Sequence, residues 1–316
     1  MKDTFRDSVS PHTSVLFLGS KNLGFVLFQA LDSQHSQINW SVVHPDDSHD
    51  SRSQIQLFQD YCALREIDFV VGSSKTLLRE QIDKHQPRIV IVCGWYTILS
   101  EEILSLVPGG FYGIHHSLLP KYRGSAPLVW AIINGDEYLG STIFKFDEGI
   151  DSGPILSQVT MRVSPQEDIS TIGEKLEKLV IEEFLKYWPT LVKGDVKVLP
   201  QNDKNASYSA PRVEIDSKID WTLPARQINN HVRAQQFPYP IAYSYWNGKS
   251  VQILKCTPLV PTYFGAPGQI VVKNKDGIIV ACGENSGILI NEVKIDKTFL
   301  TPPDFPFHMK TRFEDM

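Results

Sequence analysis

The segment of residues 88–94 constrains the fold most, because it reads Arg-Ile-Val-Ile-Val-Cys-Gly. Such an apolar run, rich in β-branched side chains, is typical of a strand buried on both faces, and these strands occur mainly in parallel sheets. Residues 14–19, Ser-Val-Leu-Phe-Leu-Gly, have the same character, and a helical pattern follows over residues 23–31. This order of strand, glycine and helix predicts an α/β fold with a doubly wound, mainly parallel, Rossmann-like sheet. The glycines form no GxGxxG fingerprint, so a dinucleotide is not implied.

The last third of the chain alternates short apolar runs with glycine-containing turns. This pattern predicts short strands that close into a small β-barrel. The runs lie at residues 242–246, 251–254, 268–272, 278–281 and 288–293. A polar, proline-containing stretch before them marks a linker. We therefore predict a lead-in over residues 1–13, an α/β domain over 14–200, a linker over 201–213 and a barrel domain over 214–316.

Composition is ordinary for a soluble globular protein, with 42% hydrophobic and 21% charged residues. The chain begins with no apolar signal segment, and no later run is long enough to span a bilayer. We therefore expect a cytoplasmic protein without a membrane partner. The four cysteines lie far apart and form no CxxC pair. His44 and His49 share a polar loop but lack ligand spacing on a rigid element, so we predict no metal site.

The residues able to carry chemistry cluster between positions 110 and 154. Two adjacent histidines, His115 and His116, precede a loop punctuated by proline and glycine. Further along, Asp151 lies in a second loop between glycines. An imidazole and a carboxylate on loops beside apolar strands form a reasonable acid/base pair. Ser117 has no GxSxG surroundings, so the pattern does not support a serine hydrolase.

The same stretch resembles a known family. His115-x-Ser-Leu-Leu-Pro-x-x-Arg-Gly-x-Ala-Pro127 is followed, after a helical and a strand pattern, by Asp151-x-Gly-x-Ile155. This double motif is similar to the folate-dependent formyltransferases, which include methionyl-tRNA formyltransferase, glycinamide ribonucleotide transformylase and the sugar N-formyltransferases. The likeness runs from about residue 14 to about residue 295. The sequence resembles most the sugar enzymes, which formylate an amino group on a nucleotide-linked sugar. This resemblance implies that residues 14–200 are the catalytic formyltransferase domain and that the barrel is OB-like, as in methionyl-tRNA formyltransferase.

The resemblance implies N10-formyltetrahydrofolate as the formyl donor and His115 and Asp151 as catalytic residues. In such an acyl transfer the imidazole stabilises the oxyanion and helps to move protons. The carboxylate orients or deprotonates through the imidazole or a water. The family usually has asparagine two residues before the histidine, where this chain has Gly113. Candidates to replace the missing amide donor are His116, Tyr112, Ser117 or a water.

The folate is expected at the end of the strand of residues 88–94. In the family the segment that matches residues 95–99 borders the pterin pocket, and α/β sheets place ligands at the carboxyl ends of their strands. We expect the loop of residues 146–151 to close the other side. The predicted folate-binding residues are Trp95, Tyr96, Thr97, Ile98, Leu99, Phe146, Glu148 and Ile150.

Two loops carry the prediction for the acceptor substrate. The family places the loop after the first strand, here Ser20, Lys21 and Asn22, near the acceptor. A plain strand-to-helix turn is the alternative. Lys121 and Arg123 are able to pair with the phosphates of a nucleotide. Arg123 alternatively ties down its own loop.

Charge favours a small acceptor over tRNA. The net charge is -5 and the pI about 6.0, whereas tRNA binding relies on a basic surface. The tRNA enzymes of the family carry a long basic loop after the second strand, where residues 44–50 are short and acidic, and Lys294 and Lys297 are scattered. We therefore predict formyl transfer to a nucleotide-linked amino sugar of surface-polysaccharide biosynthesis, with no nucleic-acid partner. Methionyl-tRNA formyltransferase and a non-catalytic binding module are the alternatives. The oligomeric state stays open, a homodimer included.

Overall fold

The computed structural model describes residues 13–34 and 37–314. The predicted lead-in therefore lies outside the described residues, apart from Thr13. The chain forms two compact units, and each draws on several stretches of sequence. Among the described residues, the first consists of 13–34, 37–124, 140–161 and 175–208, and the second of 125–139, 162–174 and 209–314.

A seven-stranded sheet organises the first unit. The strands formed by the chain up to residue 209 are β1 (Ser14–Gly19), β2 (Asn39–His44), β3 (Asp68–Val71), β4 (Ile89–Cys93), β5 (Phe111–His115), β6 (Arg123–Gly124), β7 (Tyr138–Lys145), β8 (Ile155–Arg162) and β9 (Tyr208–Ser209). The order across the sheet is β3-β2-β1-β4-β5-β7-β8, and β6 and β9 form a separate short ribbon. The first five strands in that order are parallel, whereas β7 runs antiparallel to β5. The predicted mainly parallel α/β sheet is confirmed.

The helices follow the apolar spacing of the sequence. They are α1 (Lys21–Gln34), α2 (Ile55–Leu64), α3 (Lys75–His85), α4 (Glu101–Leu104), α5 (Pro127–Ile133), α6 (Ile169–Lys193) and α7 (Ala225–Arg233). The hydroxyl of Ser74 caps α3 by accepting the Leu77 N–H at 3.2 Å, which satisfies one of the free donors of the first turn. Helices α1 to α4 alternate in sequence with the parallel strands, as a doubly wound sheet requires.

Both faces of the sheet are covered. Alternate residues of a strand point to opposite faces, so Phe17 joins a core that contains the stacked rings of Trp40 and Trp188, whose centroids are 5.5 Å apart. Leu16 and Leu18 join the core on the other face. Full burial of each such side chain contributes about 1.5–3 kcal/mol. This two-sided burial explains why β1 and β4 read as continuous apolar runs.

The sheet reverses its winding between β1 and β4, and ligands of α/β sheets bind at such a switch point. There the Ser20 N–H donates to the Cys93 carbonyl oxygen at 3.0 Å. Gly94 has φ +76°, and a Cβ at Gly94 would lie 2.5 Å from the Ser20 carbonyl oxygen. The close approach of these two loops therefore depends on glycine.

An antiparallel sheet organises the second unit. Its strands are β10 (Tyr243–Trp246), β11 (Lys249–Leu259), β12 (Ile270–Asn274), β13 (Gly277–Ala281), β14 (Gly287–Ile295) and β15 (Thr298–Leu300). Their order is β10-β11-β14-β13-β12, with β15 paired to β14. The C-terminal segment links the two edges, because Glu314 N–H donates to Tyr245 and Ile270 N–H donates to Thr311, both at 3.0 Å. The sheet thereby curls around an apolar core, in agreement with the predicted small barrel.

Within the part of the chain that the structure describes, no helix combines the length and apolar character needed to cross a bilayer. The same residues contain no group of three or more His, Cys, Asp or Glu side chains arranged to hold a metal ion.

Candidate functional site

His115 and Asp151 come together at the carboxyl end of β5. His115 is the last residue of β5 and is buried, and Asp151 lies in the loop between β7 and β8. Nδ1 of His115 is 3.5 Å from Oδ2 of Asp151, and Nε2 of His115 is 2.7 Å from the carbonyl oxygen of Tyr122. Because a carbonyl oxygen only accepts, this contact assigns the proton to Nε2 and directs Nδ1 at the carboxylate.

The backbone around the pair is held in an uncommon conformation. Asp151 has φ +47° and Gly124 has φ +102°, in the left-handed region that residues other than glycine rarely adopt. The Gly124 N–H donates to Oδ2 of Asp151 at 2.8 Å. A strained residue persists where its surroundings hold it in place, and such residues concentrate at functional sites.

An aromatic ring fills the position where the family has an asparagine side chain. A Cβ at Gly113 would lie 2.6 Å from Cε2 of Phe146 and 2.6 Å from the Val92 carbonyl oxygen. Phe146 stacks on Phe144 with centroids 4.8 Å apart and an interplanar angle of 24°. Gly113 is therefore required by close packing, and the first residue of the predicted folate loop occupies its side-chain space.

The three side chains considered as substitutes for the amide have other partners. Nδ1 of His116 is 2.7 Å from the Ser141 hydroxyl, and the Ser117 hydroxyl donates to the Lys121 carbonyl oxygen at 2.6 Å. Tyr112 packs in the core on the opposite face of β5. Burial, together with the nearby His115, lowers the pKa of His116 to about 4, so its imidazole is neutral at pH 7.

The predicted folate segment follows β4 and presents apolar surface. Tyr96 and Ile98 are 61% and 83% exposed, whereas Leu99 is buried. Trp95 and Phe146 pack against the same apolar cluster, which connects the two predicted folate loops. The indole N–H of Trp95 is buried and has no hydrogen-bond partner among the described residues. An unpaired buried donor is costly, and a polar-edged ligand would satisfy it. Thr97, Glu148 and Ile150 are exposed.

The loop after β1 is tied to the loop after β2. Lys21, the first residue of α1, places Nζ 2.7 Å from Oδ2 of Asp47 and 2.8 Å from Oδ2 of Asp50. It also lies over the Tyr96 ring, 5.3 Å from the centroid. The Ser20 hydroxyl donates to Oδ2 of Asp47 at 2.8 Å. The predicted acceptor loop thus joins the folate segment through Lys21, whereas Asn22 points into solvent.

These carboxylates keep their charge at low pH. Hydrogen bonds from Arg52 are the largest influence on Asp50 and lower its pKa. Burial raises the pKa of Asp47, but hydrogen bonds from Lys21, Ser53 and Ser20 outweigh burial and lower it. The sequence identified the loop as acidic without identifying these two partners of Lys21.

Arg123 is 2% exposed and ties its own loop to a distant segment. Its Nε and Nη2 donate to Oε1 of Gln201 at 3.0 and 2.9 Å, and Nη2 also contacts Asp203 at 2.7 Å. Nε2 of Gln201 donates to the carbonyl oxygens of Asp151 and Gly153 at 2.8 and 2.7 Å. Gln201 therefore connects the arginine of the motif to the aspartate of the motif. No sequence signal marked Gln201, and the side chain of Lys121 is exposed.

Together these contacts place a basic nitrogen, a carboxylate and an apolar ligand surface at one edge of the sheet. Nδ1 of His115 is able to take up a proton. The resulting imidazolium would direct one N–H at Asp151 and the other at the Tyr122 carbonyl. Such a group serves a reaction in which an attacking nucleophile loses a proton and negative charge develops nearby.

Comparisons with known proteins cover both units. The family described as Formyl transferase matches residues 15–186, and the family described as Formyl transferase, C-terminal domain, matches residues 213–306. Methionyl-tRNA formyltransferase of Enterococcus faecalis is 30% identical to this chain over 286 residues, which cover 89% of this chain and 91% of that protein.

Two solved structures share the fold. The sugar 3N-formyl transferase WlaRD, crystallised in the presence of dTDP and 5-N-formyl-THF, has a TM-score of 0.66 at 18% identity, covering 91% of this chain and 99% of that chain. The N-formyltransferase of Helicobacter canadensis, in complex with folinic acid and dTDP-3-aminofucose, has a TM-score of 0.65 at 17% identity, covering 88% and 98%.

Proposed function

Since the chain belongs to the formyl transferase family, we propose that it transfers the formyl group of N10-formyltetrahydrofolate to the amino group of a nucleotide-linked amino sugar. The amine nitrogen attacks the formyl carbon and a tetrahedral intermediate forms. The bond from the formyl carbon to the folate nitrogen then breaks, while a proton passes from the attacking nitrogen to the folate nitrogen.

The proposed roles follow from the contacts of His115. Nδ1 takes the proton of the attacking amine, and Asp151 and the Tyr122 carbonyl face the two N–H groups of the resulting imidazolium. The imidazolium stabilises the oxyanion electrostatically, in a chain that lacks the amide donor at Gly113. The same imidazolium then returns its proton to the leaving folate nitrogen.

The folate is proposed to lie against residues 95–99 and the loop of residues 146–150. The exposed rings and aliphatic groups of Tyr96, Ile98 and Ile150 would cover the faces of a flat pterin. The unpaired N–H of Trp95 would donate to a polar atom of the ligand. When an aromatic ligand with polar edges binds, the exposed apolar side chains would be covered and the indole N–H would gain an acceptor.

The choice of a small acceptor is carried by one observation, the anionic loop between β2 and α2. This loop contains Asp46, Asp47 and Asp50 against a single Arg52, and two of its carboxylates hold Lys21. Three carboxylates there face two cations, Lys21 and Arg52, so the loop offers no attraction to the many phosphates of tRNA. An amino sugar is able to approach it with its amine, while its few phosphates bind elsewhere. The segment of residues 214–316 likewise has nearly equal numbers of basic and acidic residues.

Methionyl-tRNA is the second candidate acceptor. Its supporting observation is the 30% identity to the Enterococcus faecalis enzyme over nearly the whole chain. If tRNA is the acceptor, the phosphate contacts must come from surfaces other than the loop between β2 and α2, and activity must fall steeply as salt rises.

The two acceptors are separated by one assay. Purified full-length protein is given N10-formyltetrahydrofolate with either a panel of dTDP-, UDP-, GDP- and CMP-linked amino sugars or methionyl initiator tRNA, and the formylated product is identified by mass. We expect a formylated nucleotide sugar, with His115→Ala as the inactive control. Formylation of the tRNA without formylation of any sugar would replace the sugar proposal. Absence of formyl transfer to either acceptor would overturn the proposed function.

A further inference from the structure

The second unit contains a cavity of about 840 Å³ that the formyl-transfer chemistry does not use. One side is formed by α7 and by residues 165–168, and the other by β11, β14 and β15. Its volume lies within the range of sites for small ligands, which is about 300–1,000 Å³. The polar residues that line it are Gln166, Asp168, Asn229, Arg233, Gln236, Lys255, Thr257, Glu292 and Lys294.

Arg233 of α7 is a buried cation on the cavity wall, with 8% of its surface exposed. Its Nε donates to Oδ1 of Asn230 at 2.9 Å, and its Nη1 donates to the carbonyl oxygens of Glu167 and Ser164 at 3.0 and 3.4 Å. All of these acceptors are neutral. Among the described residues, Nη2 has no hydrogen-bond acceptor and no carboxylate oxygen lies within 4.0 Å of the guanidinium.

Two carboxylates of the segment of residues 165–168 have hydrogen-bond partners of their own. The Glu167 carboxylate favours the charge of Arg233 from a distance and accepts the Ser164 N–H at 2.6 Å. The Asp168 carboxylate caps α6 by accepting the Thr171 N–H at 2.9 Å. Because Nη2 of Arg233 has no acceptor among the described protein residues, it is free to donate to an anion in the cavity. An anionic ligand would supply the missing partner, and a guanidinium matches the paired oxygens of a phosphate.

The opposite wall adds basic and aromatic groups. Nζ of Lys255 is 3.6 Å from a carboxylate oxygen of Glu292, and Nζ of Lys294 lies 5.1 Å from the centroid of the Phe299 ring. Phe299 and Phe237 are 70% and 75% exposed. Exposed aromatic rings beside a cavity are surfaces on which a flat ring stacks.

From this combination we propose that the cavity binds a nucleoside phosphate. The phosphate would pair with Arg233 and Lys294, and the base would stack on Phe299 and Phe237. Cys256 also lines the cavity. Its thiol donates weakly to Oδ1 of Asn229 at 3.7 Å, and burial raises the pKa of this thiol. This site lies wholly in the second unit and does not depend on which acceptor the enzyme formylates.

Calorimetric titration of the full chain tests the proposal. The probes are dTDP, UDP and AMP, with inorganic pyrophosphate and thymidine as partial ligands. We expect Lys294→Ala, Phe299→Ala and Arg233→Met each to weaken nucleotide binding about tenfold or more. Lys275→Ala is the matched control, because Lys275 is an exposed lysine of the same unit outside the cavity, and we expect parental binding. The turnover of Lys294→Ala and Phe299→Ala at saturating acceptor should equal that of the parent.

Several outcomes would overturn the proposal. One is a parent chain that binds none of the nucleotides. Another is nucleotide binding of parental strength in both Lys294→Ala and Phe299→Ala, with unfolding midpoints showing that both variants are folded. If pyrophosphate binds as tightly as dTDP, the base makes no favourable contact, and the proposed stacking on the aromatic rings is wrong. If these residues bind RNA but none of the free nucleotides, the ligand of the cavity is a polymer and the proposal of a nucleoside phosphate is wrong.

Discussion

At the scale of single residues, the proposed proton transfer rests on His115 and Asp151. We expect His115→Ala and Asp151→Asn each to lower kcat/KM for formyl transfer by about 100–1,000-fold, a loss typical of removing one group that stabilises the transition state. His116→Asn is the matched control, because His116 contacts Ser141, and it should stay within a few-fold of the parent. The unfolding midpoint of each variant reports whether it is folded. Parental turnover in either folded variant would remove that residue from the mechanism.

Gly113 offers a second test at this scale. Restoring the family's amide, Gly113→Asn, places a side chain where the Phe146 ring and the Val92 carbonyl oxygen already lie. We expect lower activity and a loss of about 1–3 kcal/mol in unfolding free energy, as overpacking of a filled site usually produces. Denaturant unfolding and kcat/KM measure the two effects.

The double variant Gly113→Asn/Phe146→Ala distinguishes the steric effect of the new side chain from its effect on the reaction. It removes the ring, so part of the lost stability should return. A tenfold gain in kcat/KM for Gly113→Asn alone, worth about 1.4 kcal/mol, would contradict the expectation. It would show that the ring moves aside easily and that the site lacks only its amide.

At the scale of elements, Gln201 joins the loop of the first motif to the loop of the second. Gln201→Ala removes one acceptor of Arg123, which keeps Asp203, and both hydrogen bonds donated to the loop of residues 151–153. We expect kcat to fall roughly 10–100-fold, since small misplacements of a catalytic group have effects of this size. Gln201→Glu keeps an acceptor for Arg123 but loses both donors, so it should also lower kcat. Parental kcat in Gln201→Glu would show that the arginine contact alone positions the loop.

The sequence predicted elements better than the contacts between them. The runs that became β1 and β4 were evident because burial on both faces leaves continuous apolar sequence. The short strands of the second unit were evident from glycine turns. The motif likewise indicated His115 and Asp151, which the structure brings to 3.5 Å.

The contacts that hold the site were not predictable in the same way. Gln201 lies 78 residues from Arg123, and Asp47 lies 26 residues from Lys21. Neither pairing leaves a local pattern, because the fold and not the spacing brings the partners together. The sequence also did not predict that Phe146 fills the space beside Gly113, because a glycine does not indicate which neighbour occupies the space of the missing side chain.

At the scale of the whole molecule, the hydrogen-bonded carboxylates of Asp47 and Asp50 make stability depend on acid pH. The pKa of Asp50 is lowered chiefly by its hydrogen bonds from Arg52, and the pKa of Asp47 is lowered although burial opposes the shift. Both groups bind a proton less readily in the folded state than in the unfolded state. Their contribution to stability is therefore present above the ordinary value of 3.8 and is lost as the pH falls below it.

Three histidines, His44 buried and His116 and His231 half-buried, make stability depend on pH in a second range, above that of the carboxylates. Burial lowers the pKa of His44, His116 and His231 below the ordinary 6.5, and that of His116 to about 4. Below pH 6.5 the unfolded chain binds protons that the folded chain does not. The unfolding free energy must therefore decrease as the pH falls from about 6.5 toward about 4.

His116 gives the sharpest test of this window. The difference between its ordinary and folded pKa is worth up to about 3 kcal/mol, so we expect His116→Gln to flatten the loss of unfolding free energy over this range. Glutamine keeps a group able to bond the Ser141 hydroxyl but does not titrate. The measurement is urea unfolding at several pH values between about 4 and about 7, followed by the fluorescence of the core tryptophans. His49→Gln, at an exposed loop position, is the control and should keep the parental slope. If His116→Gln keeps that slope as well, the imidazole takes up its proton in the folded state as easily as in the unfolded chain, and the pH dependence must come from other groups.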